Sequence, residues 1–172
     1  MSKSKKPRKA YRPRPVHLNS IQRAIENASK LDPADVAKAV AGVDEAFDRF
    51  RQAVDPVQAW RVMADALNMA ETMSDLGICS DADSLQLILD GQAVLARAAD
   101  QRAAIGTWAL RAADMTTLRE ALDRHHLQLQ FVSLSEYERA IELTRARVDA
   151  ARRGQGKRPV LAIGDLGRLQ PA

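Results

Sequence analysis

Val36, Val40, Val43, Phe47, Phe50 and Val54 recur at steps of four, three, four, three and four residues. That rhythm puts all six side chains on one face of an α-helix and does not fit the two-residue alternation of a strand. Asp32-Pro33 stands just ahead of the seam. An aspartate N-cap accepts from one of the unsatisfied N–H groups at a helix start, and a proline in the first turn has no N–H to lose. A helix from residue 33 through Val54 is therefore expected, with Gly42 inside it at a cost of about 1 kcal/mol relative to alanine. Such a seam serves either as core or as a dimer interface. Core is the expectation, and a homodimer the alternative.

The same punctuation recurs along the chain. Asp55-Pro56, with Gln58 behind it, starts a second long helix whose Trp60, Met63, Ala64, Leu67 and Ala70 face one way until Gly77 offers a stop. A turn this short between two long helices predicts an antiparallel αα-hairpin. Upstream, Asn19 and Gln22 match a capping box, followed by a stripe of Ile21, Ala24, Ile25 and Ala28 that ends near Leu31. Downstream, Ser80 opens a helix with Asp81 and Asp83 in its first turn and Leu85, Ile88, Leu89, Leu95, Ala96 and Ala99 inward. The pattern weakens at Ile105-Gly106-Thr107-Trp108, where a loop is expected. A further helix from near Asp114 uses Leu118, Leu122, His125 and Leu129. Ser133 with Glu136 is another capping box, opening a last helix with Leu134, Tyr137, Ile141, Thr144 and Val148 inward. Its Arg145, Arg147, Arg152 and Arg153 suit the negative helix end, and Gly154 stops it. Aromatic residues make up only 4% of the chain while alanine and leucine abound, which favours packed helices over sheets. The reading is all-α: a single helical bundle of about six helices over residues 19–153, between a flexible basic arm, 1–18, and a flexible tail, 154–172. Within the tail, Val160-Leu161-Ala162-Ile163 either moves freely or docks on the body or a partner.

Charge is sorted by position. Residues 1–20 hold seven bases and no acid; residues 21–151 hold 14 bases and 21 acids, a net of −7; residues 152–172 hold five bases against Asp165. Basic ends on an acidic body are suited to meeting a polyanion. In the arm, Lys3, Lys5, Lys6, Arg8, Lys9, Arg12 and Arg14 can neutralise phosphates without any fold, and Tyr11 can stack on an unpaired base. Prolines 7, 13 and 15 keep the arm extended and polar, with none of the apolar region of a signal peptide. No apolar run approaches the ~18 residues that span a bilayer, and the lone Cys79 cannot form an internal disulfide, so a cytoplasmic setting with no membrane partner is expected.

Catalytic and metal-binding patterns are incomplete in this chain. Gly154-Gln155-Gly156-Lys157 lacks the leading glycine and the Ser/Thr of a phosphate loop, with Ala151 and Arg158 in those places. Asp81-Ala82-Asp83 lacks the glycine and the glutamate of a calcium loop, having Gln86 and Gln92 instead, so both aspartates are expected at a helix cap. Adjacent His125 and His126 point about 100° apart on a helix and cannot share one metal. His125, on the apolar seam, is expected as a hydrogen-bonded core residue, His126 at the surface, and Cys79 as a small buried residue. Asp44, Glu45 and Asp48 gather on the outer face of their helix among Arg49 and Arg51, as a solvated face or a docking patch for a basic partner. The expectation is no catalytic residue, no metal and no cofactor.

The arm, Lys5-Lys6-Pro7-Arg8-Lys9-Ala10-Tyr11-Arg12-Pro13-Arg14-Pro15-Val16, and the stretch Leu67-Asn68-Met69-Ala70-Glu71 followed by Gly77-Ile78 resemble small uncharacterised basic-tailed proteins of proteobacterial phages and prophages. The resemblance implies the cytoplasm of a bacterial host and an accessory gene on a mobile element, and carries no activity or ligand. The expected function is non-enzymatic: a helical body that binds a protein, with an arm that engages nucleic acid non-specifically. The alternative is a pure protein–protein module working through its acidic surface, as an inhibitor of a host factor or an assembly component. An acidic body does not suit a helix-turn-helix reader, whose recognition helix carries its own bases.

Overall fold

The computed structural model describes residues 28–156 together with Gln22, Ile25, Val160 and Leu161. Among the described residues five long helices follow one another: α1 Pro33–Arg51, α2 Pro56–Asp75, α3 Ala82–Ile105, α4 Ala112–Phe131 and α5 Leu134–Arg152. Gln22, Ile25 and Ala28 are helical as well. No strand occurs among the described residues; one isolated antiparallel bridge joins Lys30 to Ser133. The expected all-α class is observed. The stripe expected before Leu31 is not buried where it is described: Ile25 is 67% exposed and Ala28 is also open.

Three helix starts form as their sequences dictate. The Ala34 N–H donates to Asp32 Oδ1 at 2.7 Å, and the Ser84 N–H to Asp81 Oδ1 at 2.8 Å. Ser133 and Glu136 close a reciprocal capping box. Hydrogen bonds from the Ser84 hydroxyl and N–H hold the Asp81 carboxyl below the usual carboxylate range, and Ser133 does the same for Glu136. Asp55 departs from expectation. It sits in the left-handed region at φ 44° and caps nothing, while Arg49 Nη2 approaches its carboxylate at 3.4 Å. The cause lies upstream: α1 ends at Arg51 rather than Val54, and residues 52–55 reverse the chain with Ala53 also at positive φ, 56°. Val54 is left half-exposed. At the other end of α2, Gly77 (φ 89°) allows the Ile78 N–H to reach Met73 O at 3.0 Å and the Gly77 N–H to reach Ser74 O at 3.0 Å, a Schellman closure that satisfies two terminal carbonyls. Gly154 closes α5 in the same manner.

The α2 helix is the hub, packed against each of the other four. Ala59, Trp60, Met63, Ala64, Ala66, Leu67, Ala70 and Met73 are all buried, so its apolar surface wraps much of the circumference. A helix apolar on several sides belongs inside a bundle, not on its surface. The first core joins α1 to α4 around Val43, Phe47, Phe50, Trp60, Leu67, Leu95, Leu118 and Leu122. The α1 seam is therefore core from Val43 to Phe50, while Val36 and Val40 are half-buried beside a second, smaller core of Met73, Ile78, Leu129, Val132 and Ala140. Trp108, in the loop before α4, packs edge-on to Phe50 with ring centres 5.8 Å apart, and the Trp60 indole donates to Leu95 O at 2.8 Å. On α3, Leu89 is exposed rather than buried, and its inward face instead runs through Ile88, Gly91, Gln92, Val94, Leu95 and Ala98. No helix among the described residues is long and apolar enough to cross a membrane.

Candidate interaction site

The face of α2 not covered by the first core carries Asn68, Glu71, Thr72 and Ser74, all buried. Polar groups withdrawn from water need partners: Gln128 of α4 donates to the Ser74 hydroxyl at 2.9 Å, and three further elements serve Asn68, Glu71 and Thr72. Arg147 of α5 reaches inward: its Nη2 lies 2.5 Å from Glu71 Oε1 and its Nη1 donates to the Thr72 hydroxyl at 2.9 Å. Arg147 was expected to serve the negative end of α5, and instead it spans the interface to α2, with Asp75 3.6 Å away on its outer side. The Thr144 hydroxyl lies 2.9 Å from that of Thr72. From α3, Gln92 Nε2 donates to Glu71 Oε2 at 3.1 Å and faces Asn68 Oδ1 at 3.4 Å and Leu67 O at 3.3 Å. The third element is the tail. Leu161 packs against the first core, its N–H donates to Asn68 Oδ1 at 3.3 Å, and Asn68 Nδ2 donates back to Leu161 O at 2.9 Å. A side-chain amide thus pairs with both main-chain groups of one tail residue. Beside it an open groove of about 410 Å³ runs along α5, lined by Leu143, Ala146, Ala150 and Val160 with Asp75 and Arg147 at one wall.

The sequence places Thr144 inward and allows Val160-Leu161 to dock on the body, but Asn68, Glu71 and Thr72 pass there as the polar outer face of an amphipathic helix. A signal was present nonetheless: α2 has apolar residues on more than one stripe, which leaves only a narrow solvated side at Gln58, Asp65 and Asp75.

The expected arm residues, Lys3, Lys5, Lys6, Arg8, Lys9, Tyr11, Arg12 and Arg14, lie outside the described residues. What the structure does place is the point where the chain joins the body. The Leu134 N–H donates to Ser29 O at 2.9 Å, and the Lys30 ammonium sits 5.2 Å from the centre of the Phe131 ring, which fastens this segment to the α4–α5 junction. Of the three acids proposed for docking, Glu45 and Asp48 are exposed on the outer face of α1. They lie 3.7 Å from Arg49 and 3.2 Å from Arg51, respectively. Asp44 is half-buried and turned toward α4, where Arg119 binds it at 2.7 Å, holds Asp123 at 3.0 Å and covers the Phe47 ring.

His125 is buried as expected, but its Nδ1 has no hydrogen-bond partner, and burial lowers its pKa to about 3, helped by neighbouring His126. His126 is not at the surface. It is buried too, and burial lowers its pKa against the opposing pull of Asp44 and Asp123. Residue 126 turns inward because α4 touches α1 as well as α2 and α3, so more than one stripe of it is covered. Cys79 is half-buried at φ 49° in the turn after α2. No group of three or more His, Cys, Asp or Glu among the described residues is arranged to hold a metal ion.

Compared with protein families, with curated proteins and with solved structures, the chain matches none.

Proposed function

We propose that this chain is a non-enzymatic adaptor whose helical body binds a protein partner while its basic arm holds nucleic acid through phosphate contacts. The observation that carries the reading is the charge partition: seven bases without an acid in residues 1–20, joined to a body of net charge −7 over residues 21–151. A uniform basic surface would suggest a folded nucleic-acid reader, whereas this partition separates a polyanion-binding segment from a body that nucleic acid repels. Anchoring of Ser29 and Lys30 at the α4–α5 junction ties the start of the body to one end of the bundle. For such an adaptor we propose the cytoplasm of a bacterial host, the setting that a resemblance to phage and prophage proteins implies.

The test is salt-dependent binding to duplex DNA. Seven cationic side chains set a limit of about −6 on the slope of log affinity against log salt, with little preference among sequences. Removing residues 1–16 should abolish binding. Binding retained by the shortened chain, or no binding by the full chain at ~50 mM salt, overturns the nucleic-acid half of the reading. A second reading, a protein module that binds a basic partner through Asp44, Glu45 and Asp48, draws on the exposure of Glu45 and Asp48. There, Asp44 must first leave Arg119, so Arg119→Ala should tighten such a complex and Asp48→Lys should weaken it.

A further inference from the structure

We infer that the buried seam between α2, α3 and α5 is a reader of extended peptide, and that Val160-Leu161 occupies it as a competitor in cis. Asn68 is 2% exposed, and its carboxamide makes a two-point pairing with the main chain of Leu161, the pattern by which one strand recognises another. Such pairing reads the backbone of an extended residue and leaves the side chain to be chosen by packing, here an aliphatic side chain against the first core.

The amide is held from behind by side chains that make no hydrogen bond to Leu161. Gln92 faces Asn68 Oδ1, Glu71 accepts from Gln92, and Arg147 is paired to Glu71. Fastening one tail residue by hydrophobic contact alone would need none of these groups. A preorganised polar chain ending in a peptide-binding amide is the arrangement of a receptor, because it lowers the ordering cost of the ligand. Beside Val160 the groove is lined by Leu143, Ala146 and Ala150, so it offers more surface than the docked pair covers. The ligand class is an extended segment with a β-branched residue followed by leucine, matching Val160-Leu161. This deepens the protein-binding half of the proposed function and does not involve the arm.

The probe is a fluorescent synthetic peptide of residues 157–166, Lys-Arg-Pro-Val-Leu-Ala-Ile-Gly-Asp-Leu. The same peptide with aspartate in place of Leu161 is the control. Binding is measured to the full-length chain and to full-length Leu161→Asp and Leu161→Ala, whose tails no longer fill the site. A tethered competitor acts at an effective concentration in the mM range, so releasing it should raise probe affinity by at least about tenfold. Adding Asn68→Leu to Leu161→Ala should remove that gain, and the control peptide should not bind. Equal affinity for the wild-type and released chains, or a gain that survives Asn68→Leu, overturns the inference. So does loss of helical signal in both Leu161 variants, which would make the tail a part of the core. A change from dimer to monomer without gain in probe affinity would assign the groove to the tail of a second copy, and would overturn it as well. Because these variants leave residues 1–16 intact, retained DNA binding with no peptide binding would sink this inference alone.

Discussion

His125 and His126 stand side by side within a covered stretch of α4, and both are cheaper to keep neutral than charged. In an unfolded chain a histidine takes up its proton near pH 6.5, whereas folded His125 resists protonation down to about 3. Below pH 6.5 the unfolded state therefore gains protons that the fold does not, and stability falls with pH through this window. Between pH 7 and pH 5 the loss from one such residue is about 2 kcal/mol. The urea midpoint should fall over that range in the wild type and fall less in His125→Leu; identical pH profiles would show that His125 is not held neutral by burial. Glu71, 1% exposed, offers a second test at this scale. Arg147→Met leaves a buried carboxylate without its cation and should cost about 3 kcal/mol. Combining it with Glu71→Gln should recover part of that loss, and strict additivity in the double-mutant cycle would mean that the 2.5 Å pair is not coupled. Capping residues such as Asp32, Asp81 and Ser133 were legible in the sequence because their partners lie two or three positions away. Arg147 was not, since its partners Thr72 and Glu71 lie on a different helix.

Helix starts followed local chemistry at Asp32, Asp81 and Ser133, and departed from it at residues 52–55, where the reversal put Ala53 and Asp55 into the left-handed region. Ala53→Gly relaxes that position and should leave the fold unchanged or stabilise it by up to about 1 kcal/mol. The contact between α3 and α4 depends on a residue whose value no local rule reveals. A β-carbon at Gly91 would collide with that of Ala121 and crowd Leu67. By helix propensity alone Gly91→Ala should stabilise by about 1 kcal/mol. Overpacking at a close helix crossing costs about 1–3 kcal/mol, and should outweigh that gain. Chemical denaturation decides the sign: net stabilisation would show that α3 and α4 part without penalty. Periodicity identified α3 as a helix, but its inward face was misplaced at Leu89, because a bundle helix touching more than one neighbour buries more than one stripe.

Two cores lie toward opposite ends of α2, and the helix belongs to both, with Trp60 and Leu67 in the first and Met73 in the second. Unfolding either one strips a face from the same hub, so the body should melt as one unit. Fluorescence of Trp60 and Trp108 reports the first core, and circular dichroism reports the helices together; coincident midpoints are expected. An earlier loss of circular dichroism would mean that α5 and the second core melt apart. The sequence by itself determined the helical class, most helix boundaries and the charge partition, because capping, 3.6-residue periodicity and formal charge act over a few residues or none. Only the tertiary structure decided that α2 is the hub, that its polar face is buried, and that Asn68 meets Leu161 93 positions along the chain. The physical reason is that a buried polar group and a solvated one look alike in sequence. They differ in whether distant side chains arrive to replace water, and that is settled by how the helices pack.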